Sequence, residues 1–561
     1  MNKLTKALIL VLILYLAVAF RFYNPSWDQG NHLHPDERFL TMVGNAMEMP
    51  KSFAEYFDPS LSRFNPANIG YNFYVYGTFP VILNKLLAIN IGADNYNGFT
   101  LLGRQLSALF DVLIVLLIFK SVRIFEREYK YPPTLKYFAA FFYAIAVLPI
   151  QLSHFFAVDT FLNFFVFASF YAMLRFYAKN SALSLFFSAL SLGLAIASKV
   201  SAVFIVPLLL FFFILYFKKR LPEDYKRRKK EIAIDIALCI FIFTLTAYTT
   251  VRVAAPYYFE TGNFSSAKIS NLFIENIKQL KSWEGKDVLF PPSIQWINKP
   301  TLITSLKDIS LFGLGLPYFI VMLFGFYLVF SKKRRLGVVA VAIWTLLFFL
   351  YQSTQFVKAM RYFFIIYPFI AIFAAIGFQA AYDRMRTPAR VLILLLLLSW
   401  PLAYLSIYIH TNSRVEASYW IYKNLPPGAA IASEEWDDAL PMGIYNTNKQ
   451  FTIESLPVFA PDSPEKWQKM DEILRKRDYY ILSSNRAWGS MPTVPERYPQ
   501  TTKFYQELFA GKRGFSKIKE FTSYPSLTYL GIPFTFPDDF ADESFTVYDH
   551  PKVIIMKNQS R

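Results

Sequence analysis

Between residues 4 and 409 the chain returns repeatedly to apolar runs of about twenty residues, separated by short polar breaks. A helix rises about 1.5 Å per residue and the hydrocarbon core of a bilayer is about 30 Å thick, so each such run can cross a membrane. The runs are 4–23, 101–123, 134–152, 156–177, 232–251, 312–331, 336–352, 360–382 and 390–409. Residues 183–217 form a longer stretch interrupted by Lys199, which predicts two helices meeting there. In lipid the backbone must satisfy its own hydrogen bonds, so this pattern leads to a helical bundle. A composition of 54% hydrophobic and 19% aromatic residues excludes an ordinary soluble enzyme.

Charge sets the orientation. The formal net charge is +18. The basic runs flank apolar segments, which is a topology signal, so no nucleic-acid partner is expected. Placing 123–136, 218–230, 332–335 and 383–390 on the cytoplasmic side, with Lys3 and Lys6, requires that residues 71–90 do not cross. They are then a juxtamembrane helix inside a long outer loop, 24–100. Eleven crossings result, in a multi-pass plasma-membrane protein with a cytoplasmic N-terminus. Arg104, His154, Asp159, Lys199, Arg252, Lys358 and Arg361 then gather at the outer face, beside Asp36 and Glu37. Snorkelling of charges at helix ends is the plainer account of some of them. The single cysteine, Cys239, permits no internal disulfide.

From about residue 411 charges, prolines and short alternating runs replace the long apolar ones. Helices are predicted over 414–424 and 498–509, and strands over 429–433, 478–483, 518–522 and 544–556. The fold class is therefore an all-α polytopic membrane domain, residues 1–410, followed by an extracytoplasmic α/β domain, residues 411–561. Neither a glycine-rich phosphate loop nor a Ser/His/Asp triad is present in the second part. The acidic group Glu434, Glu435, Asp437 and Asp438 reads as a solvated face rather than a calcium site.

The chemistry concentrates in residues 27–38, Trp-Asp-Gln-Gly-Asn-His-Leu-His-Pro-Asp-Glu-Arg, directly after the first apolar run. An enzyme at the outer face has no nucleotide sugar, and a lipid-linked phosphate sugar is the activated donor within reach. Transfer needs a base on the acceptor hydroxyl and positive charge on the leaving phosphate. Asp36 and Glu37 are the candidate catalytic carboxylates. Arg104, Lys199, Arg252 and Arg361 are candidate donor-phosphate ligands, arginine for its bidentate geometry and lysine as a compact charge. His34 and Asp159 are candidates for supporting the acceptor. A divalent metal held by His32, His34 and Asp28 is a further option, although the spacing matches no firm ligand signature. In the plainer reading Asp36 caps a helix and Glu37 serves the dipole of its first turn.

A first helix, a His-Pro-Asp-Glu loop, Gly-Arg-Gln-Leu-Ser-Ala at 103–108, Ser-His-Phe-Phe-Ala-Val-Asp-Thr at 153–160 and Gly-Leu-Ala-Ile-Ala-Ser-Lys at 193–199 follow in that order. This order resembles the GT-C superfamily of polyprenyl-phosphate-sugar-dependent glycosyltransferases, in its protein O-mannosyltransferase and aminoarabinose-transferase branch. The resemblance covers roughly residues 1–410. It implies that Asp36 is the catalytic acidic residue, Glu37 its companion, Arg104 the arginine opening the next span, Asp159 the outer acidic residue and Lys199 the lysine ending its segment. It also implies a membrane glycosyltransferase moving a sugar from a polyprenyl-phosphate donor to a protein, lipid or glycan acceptor, with inversion. Two departures concern the acceptor. Asn65-Pro66-Ala67-Asn68-Ile69-Gly70 stands where a Pro-Pro-Leu motif is expected, and the 252–302 loop has no room for a large inserted domain. The alternative is a transporter or flippase of a lipid-linked sugar, which would place ionisable groups near the bilayer midplane.

Overall fold

A computed structural model describes residues 2–220, 225–331, 335–443 and 448–561. Parts of the basic runs used above, including Lys332, Lys333 and Arg334, lie outside the described residues. Among the described residues seven helices are long and apolar enough to cross a bilayer, or nine if two bent pairs each make one crossing. The other two expected crossings fall on helix Tyr96–Tyr129, which carries Arg104 and Asp111, and helix Ala182–Ser198, which has 17 residues.

The break at Lys199 has the expected form. Helix Ala182–Ser198 ends there, Lys199 is extended at φ −161°, and the chain resumes as a short 3-10 turn and helix Val206–Arg220. Residues just before helix Phe79–Ile91 dock on this break, where the Gly77 amide donates to the Ser198 carbonyl at 2.9 Å. A Cβ on Gly77 would lie 1.8 Å from the Ala197 carbonyl oxygen, so only glycine permits this approach. The other end of helix Phe79–Ile91 turns through Gly92 directly into the start of helix Tyr96–Tyr129, and Asn84 Nδ2 donates to the Phe99 carbonyl at 2.8 Å. At 13 residues the helix is about 20 Å long, short of a bilayer. Both ends lie at the same end of the bundle.

A labelling experiment checks the orientation. In a Cys239→Ala background, cysteines at the exposed positions Asn68 and Asn90 should react with an impermeant thiol reagent in intact cells, and one at Lys229 should not. Protection at Asn90 with labelling at Asn68 would mean that the short helix crosses after all.

A fully buried ionic pair, Arg21 with Asp111, is structural. Helices Leu135–Ala144 and Val147–Ser153 meet at a 54° bend, which frees carbonyls of the first helix. Arg21 fills the gap, donating to Ala144 O at 2.9 Å and Tyr143 O at 3.1 Å, while its Nε reaches Asp111 Oδ2 at 2.5 Å. The Tyr143 hydroxyl donates to the other Asp111 oxygen at 2.5 Å. With every group of the pair engaged in holding the bend, a transport path has no free ionisable residue here.

The C-terminal part is built on a five-stranded mixed sheet in the order β2-β1-β3-β5-β4. The strands are Ala430–Glu434 (β1), Thr452–Leu456 (β2), Tyr479–Leu482 (β3), Phe515–Phe521 (β4) and Val553–Asn558 (β5). β1 runs parallel to β2 and β3, and β5 runs antiparallel to β3 and β4. Helices Ser413–Asn424 and Pro499–Phe509 match expectation, whereas β2 is not among the expected elements, nor is helix Pro464–Arg475, although Ser463 as N-cap, Pro464 and Glu465 signal its start. The expected strand over 544–556 is half wrong, because Glu543–Thr546 is a helical turn and pairing begins only at Val553.

The acidic group of this part is not a solvated face. Glu434 accepts from the hydroxyls of Tyr480 and Tyr505, each at 2.6 Å, and Glu435 from the Phe459 amide at 3.1 Å. Arg414 pairs with Asp437 and Asp438, and Asp438 also takes Arg38 Nη2 at 2.8 Å. That last contact ties the outer loop to the C-terminal part. A second tie is Asp549, which accepts from the hydroxyls of Tyr404 and Tyr408 at 2.9 Å each and from Gln151 Nε2 at 3.1 Å.

Candidate active site

The helix that carries the two carboxylates, Pro35–Ala46, starts where its sequence requires. His34 is the N-cap, its Nδ1 accepting from the Glu37 amide at 3.3 Å. Pro35 takes the first helical position, and Asp36 and Glu37 occupy the first turn, where the helix dipole favours negative charge. The capping role thus belongs to His34, and the two adjacent carboxylates project in different directions.

Glu37 points into the protein and meets Arg104. Arg104 Nε donates to Glu37 Oε2 at 2.8 Å and Nη2 to Oε1 at 2.5 Å. The same guanidinium reaches Asp28 through Nη1 at 3.0 Å and Nη2 at 2.7 Å, and Nη1 also donates to the Pro25 carbonyl at 2.7 Å. All three side chains are buried, and the Phe156 amide donates to Glu37 Oε2 at 2.8 Å. The Trp27 ring lies 5.0 Å below the guanidinium. Arg104 has five N–H donors, and these five contacts engage them all. As placed, Arg104 offers nothing to a phosphate and Glu37 nothing to an acceptor proton.

Asp36 points out of the same turn and pairs with Arg361, the two side chains each being 25% exposed. Burial would raise this carboxyl, but the Arg361 guanidinium, with the His34 ring and Lys199 nearby, holds it down at about 2. Lys199 Nζ donates to Asp159 Oδ1 at 2.8 Å and lies 5.2 Å from the centre of the Tyr362 ring. Arg361 lies 5.5 Å from the same ring. Asp36, Arg361, Lys199 and Asp159 are thereby gathered around Tyr362, as two ion pairs that remain partly open to solvent. His34 lies between the rings of Phe155 and Tyr548, at 4.5 Å and 4.4 Å, and burial lowers it to about 4, so it is neutral at physiological pH.

Other candidates do not join this group. His32 binds Asn97 Oδ1 through Nε2 at 2.7 Å and the Thr100 hydroxyl through Nδ1 at 3.0 Å, while Asp28 belongs to Arg104. The metal option built on His32, His34 and Asp28 is therefore not assembled. Among the described residues no three His, Cys, Asp or Glu side chains come together as metal ligands, and Asp36, partly exposed, and Asp159, buried, each face a cation. Arg252 is held apart, donating to the Thr261 carbonyl at 3.0 Å between the rings of Phe259 and Phe264.

Two tyrosines complete the site without a motif to announce them. Tyr76 reaches it through the docking of Gly77 on the Lys199 break, and it lies within electrostatic reach of Asp36, Arg361 and Asp159. Tyr548 comes from the C-terminal part and lies within reach of Arg361 and Asp36. The adjoining Asp549 is anchored by His550, whose Nδ1 bonds Asp549 Oδ1 at 2.6 Å and whose Nε2 bonds Asp538 Oδ2 at 2.9 Å. Burial opposes charging of His550, but the two carboxylates prevail and raise it to about 10. The sign follows: His550 contributes stability in full below its unfolded pKa of about 6.5, and loses it as pH rises toward 10. The thermal stability of the docked protein should fall across that window, and His550→Asn should remove that part of the slope.

A family model for dolichyl-phosphate-mannose-protein mannosyltransferases matches residues 56–265. No curated protein matches the sequence. Among solved structures, the oligosaccharyltransferase of Archaeoglobus fulgidus crystallised with Zn and sulfate superposes with a TM-score of 0.52 at 15% identity, over 88% of this chain and 71% of that one. The same organism's oligosaccharyltransferase AglB, in complex with an inhibitory peptide and a dolichol-phosphate, gives 0.51 at 14% identity, over 96% and 75%. ArnT from Cupriavidus metallidurans covers 98% of both chains at 12% identity and a TM-score of 0.46. The chain thus shares its membrane-helix fold with the archaeal oligosaccharyltransferase and, over residues 56–265, matches the dolichyl-phosphate-mannose-protein mannosyltransferase family.

Proposed function

We propose that this glycosyltransferase moves a sugar from a polyprenyl-phosphate donor to an acceptor hydroxyl at the extracytoplasmic face, with Asp36 as base and with Arg361 and Lys199 as ligands of the donor phosphate. The observation that carries the assignment is the contrast between two arginine–carboxylate groups on one helix turn. The Arg104 group is closed and buried, whereas the Asp36–Arg361 pair is open. The dolichol-phosphate named with the archaeal oligosaccharyltransferase supports a lipid phosphate as the ligand.

In this reading the acceptor oxygen attacks C1 of the sugar, the bond from C1 to the phosphate oxygen breaks, and the configuration inverts. The acceptor proton passes to Asp36, and the polyprenyl phosphate leaves with its electron pair toward Arg361 and Lys199. Paired with Arg361, Asp36 is a poor base at about 2. The monoanionic phosphodiester of the donor competes for the guanidinium, and weakening that pairing raises the proton affinity of Asp36. Donor binding thus prepares the base. Asp159 orients Lys199, and His34, neutral and fixed, holds the helix start. Arg104 and Glu37 act as positioning residues that hold the carboxylate turn.

Arg361→Gln and Lys199→Gln each remove a charge-assisted contact worth about 1.5–3 kcal/mol. Apparent donor affinity should weaken roughly 10- to 100-fold, with little change in the acceptor KM. A fall in kcat would also fit, since charge on the leaving phosphate grows in the transition state. A selective rise in acceptor KM would place these residues on the acceptor side instead.

A further inference from the structure

Away from the site just described, helix Ile303–Asp308 and the turn that follows it pack against residues 540–546 of the C-terminal part. Phe312 lies between the rings of Phe540 and Phe545, at 5.0 Å and 5.5 Å, and Lys307 Nζ donates to the Phe540 carbonyl at 2.8 Å. This brings Asp308, one turn before Phe312, onto the strip that holds Asp542. Both carboxylates are buried, Asp308 at 0% and Asp542 at 3% exposure.

Their hydrogen bonds are not complete. Asp308 Oδ1 lies 3.1 Å from Lys307 Nζ, which also donates to the Phe540 carbonyl, and Asp308 Oδ2 has no partner. Asp542 Oδ1 accepts from the Ser544 hydroxyl, but Oδ2 has no partner. The hydroxyls of Ser305 and Thr546, also buried, are unpartnered as well. The neighbouring Glu543 is already satisfied by Arg486 at 2.6 Å and Gln295 at 2.6 Å, so it does not share its cations. Lys307 faces this pair, with Lys299 also within electrostatic reach of Asp308, yet carboxylate oxygens remain without a hydrogen bond in a buried place. A buried charge in that state takes up a proton or a cation.

We propose that Asp308 and Asp542 bind a hard divalent cation of the calcium class at the junction of the membrane bundle and the C-terminal part. The unpartnered atoms are all oxygens, as calcium requires, and they come from both sides of the junction. Asp308 Oδ2, Asp542 Oδ2, Ser305 and Thr546 supply first candidates for its ligands. The ion would clamp the helical turn Glu543–Thr546 against the bundle, two residues before Tyr548 of the active site.

The test uses the full-length protein in detergent, with calcium and magnesium chloride as probes, read by thermal unfolding and by calcium-45 binding. Wild type freed of metal by EGTA should melt a few degrees higher as calcium is restored, with one calcium retained per chain. Asp308→Asn and Asp542→Asn should each abolish both effects. If one variant fails to fold, the other and the EGTA titration of wild type still give the answer. A melting temperature indifferent to both ions up to the millimolar range, with no retained calcium, would overturn the proposal. The pair would then share a proton, as the rise of Asp542 to about 7 through burial and Asp308 allows.

Discussion

Asp36→Asn should express and fold like wild type while lowering sugar transfer by at least about 100-fold, the scale expected for loss of a positioned base. Folding should survive because the pair it breaks is partly solvated, with each side chain 25% exposed, and such pairs contribute little to stability. Asparagine keeps the shape of the side chain and leaves Arg361 free of its competitor. Donor affinity should therefore hold or rise as transfer collapses, an outcome that a merely damaged site would not give. Transfer near the wild-type rate would remove Asp36 from the mechanism.

Arg104→Met should have an effect of similar size on a different quantity. It strands the buried carboxylates of Asp28 and Glu37, whose strong partner is this guanidinium, and breaking a buried ion pair from one side costs about 3–5 kcal/mol. The expected result is a steep loss of folded, detergent-stable protein, measured by thermal unfolding, rather than a selective loss of donor affinity. Glu37→Gln should be milder than Asp36→Asn in its effect on transfer. If Arg104→Met is as stable as wild type and only donor binding weakens, the arginine does contact the phosphate and the buried group is not what holds the turn.

The outline of the fold is legible in the sequence because bilayer physics leaves few choices. Apolar length gave the helices and the Lys199 interruption gave the break, while the charge argument that keeps residues 71–90 from crossing awaits the labelling experiment. The site was legible in its residue types and less so in its pairing. Residue type alone does not distinguish Asp36 from Glu37, which only the family resemblance ranked, because adjacent residues on a helix turn face different ways only once the helix is docked. Arg104 and Arg361 look alike for the same reason, and only burial separates a structural guanidinium from an available one. Tyr76 was hidden because it arrives through a backbone contact at Gly77. Tyr548 was hidden because it belongs to a segment that reads as strand: the run 544–556 alternates, but its first half is drawn out of the sheet by the anchoring of Asp549 on Tyr404, Tyr408 and Gln151.

Tyr548 is made about five hundred residues after Asp36. During synthesis the bundle with its carboxylate turn can be in the membrane while the tyrosine that faces Arg361 and Asp36 has yet to leave the ribosome, so this group of side chains is complete only when the last segment folds back.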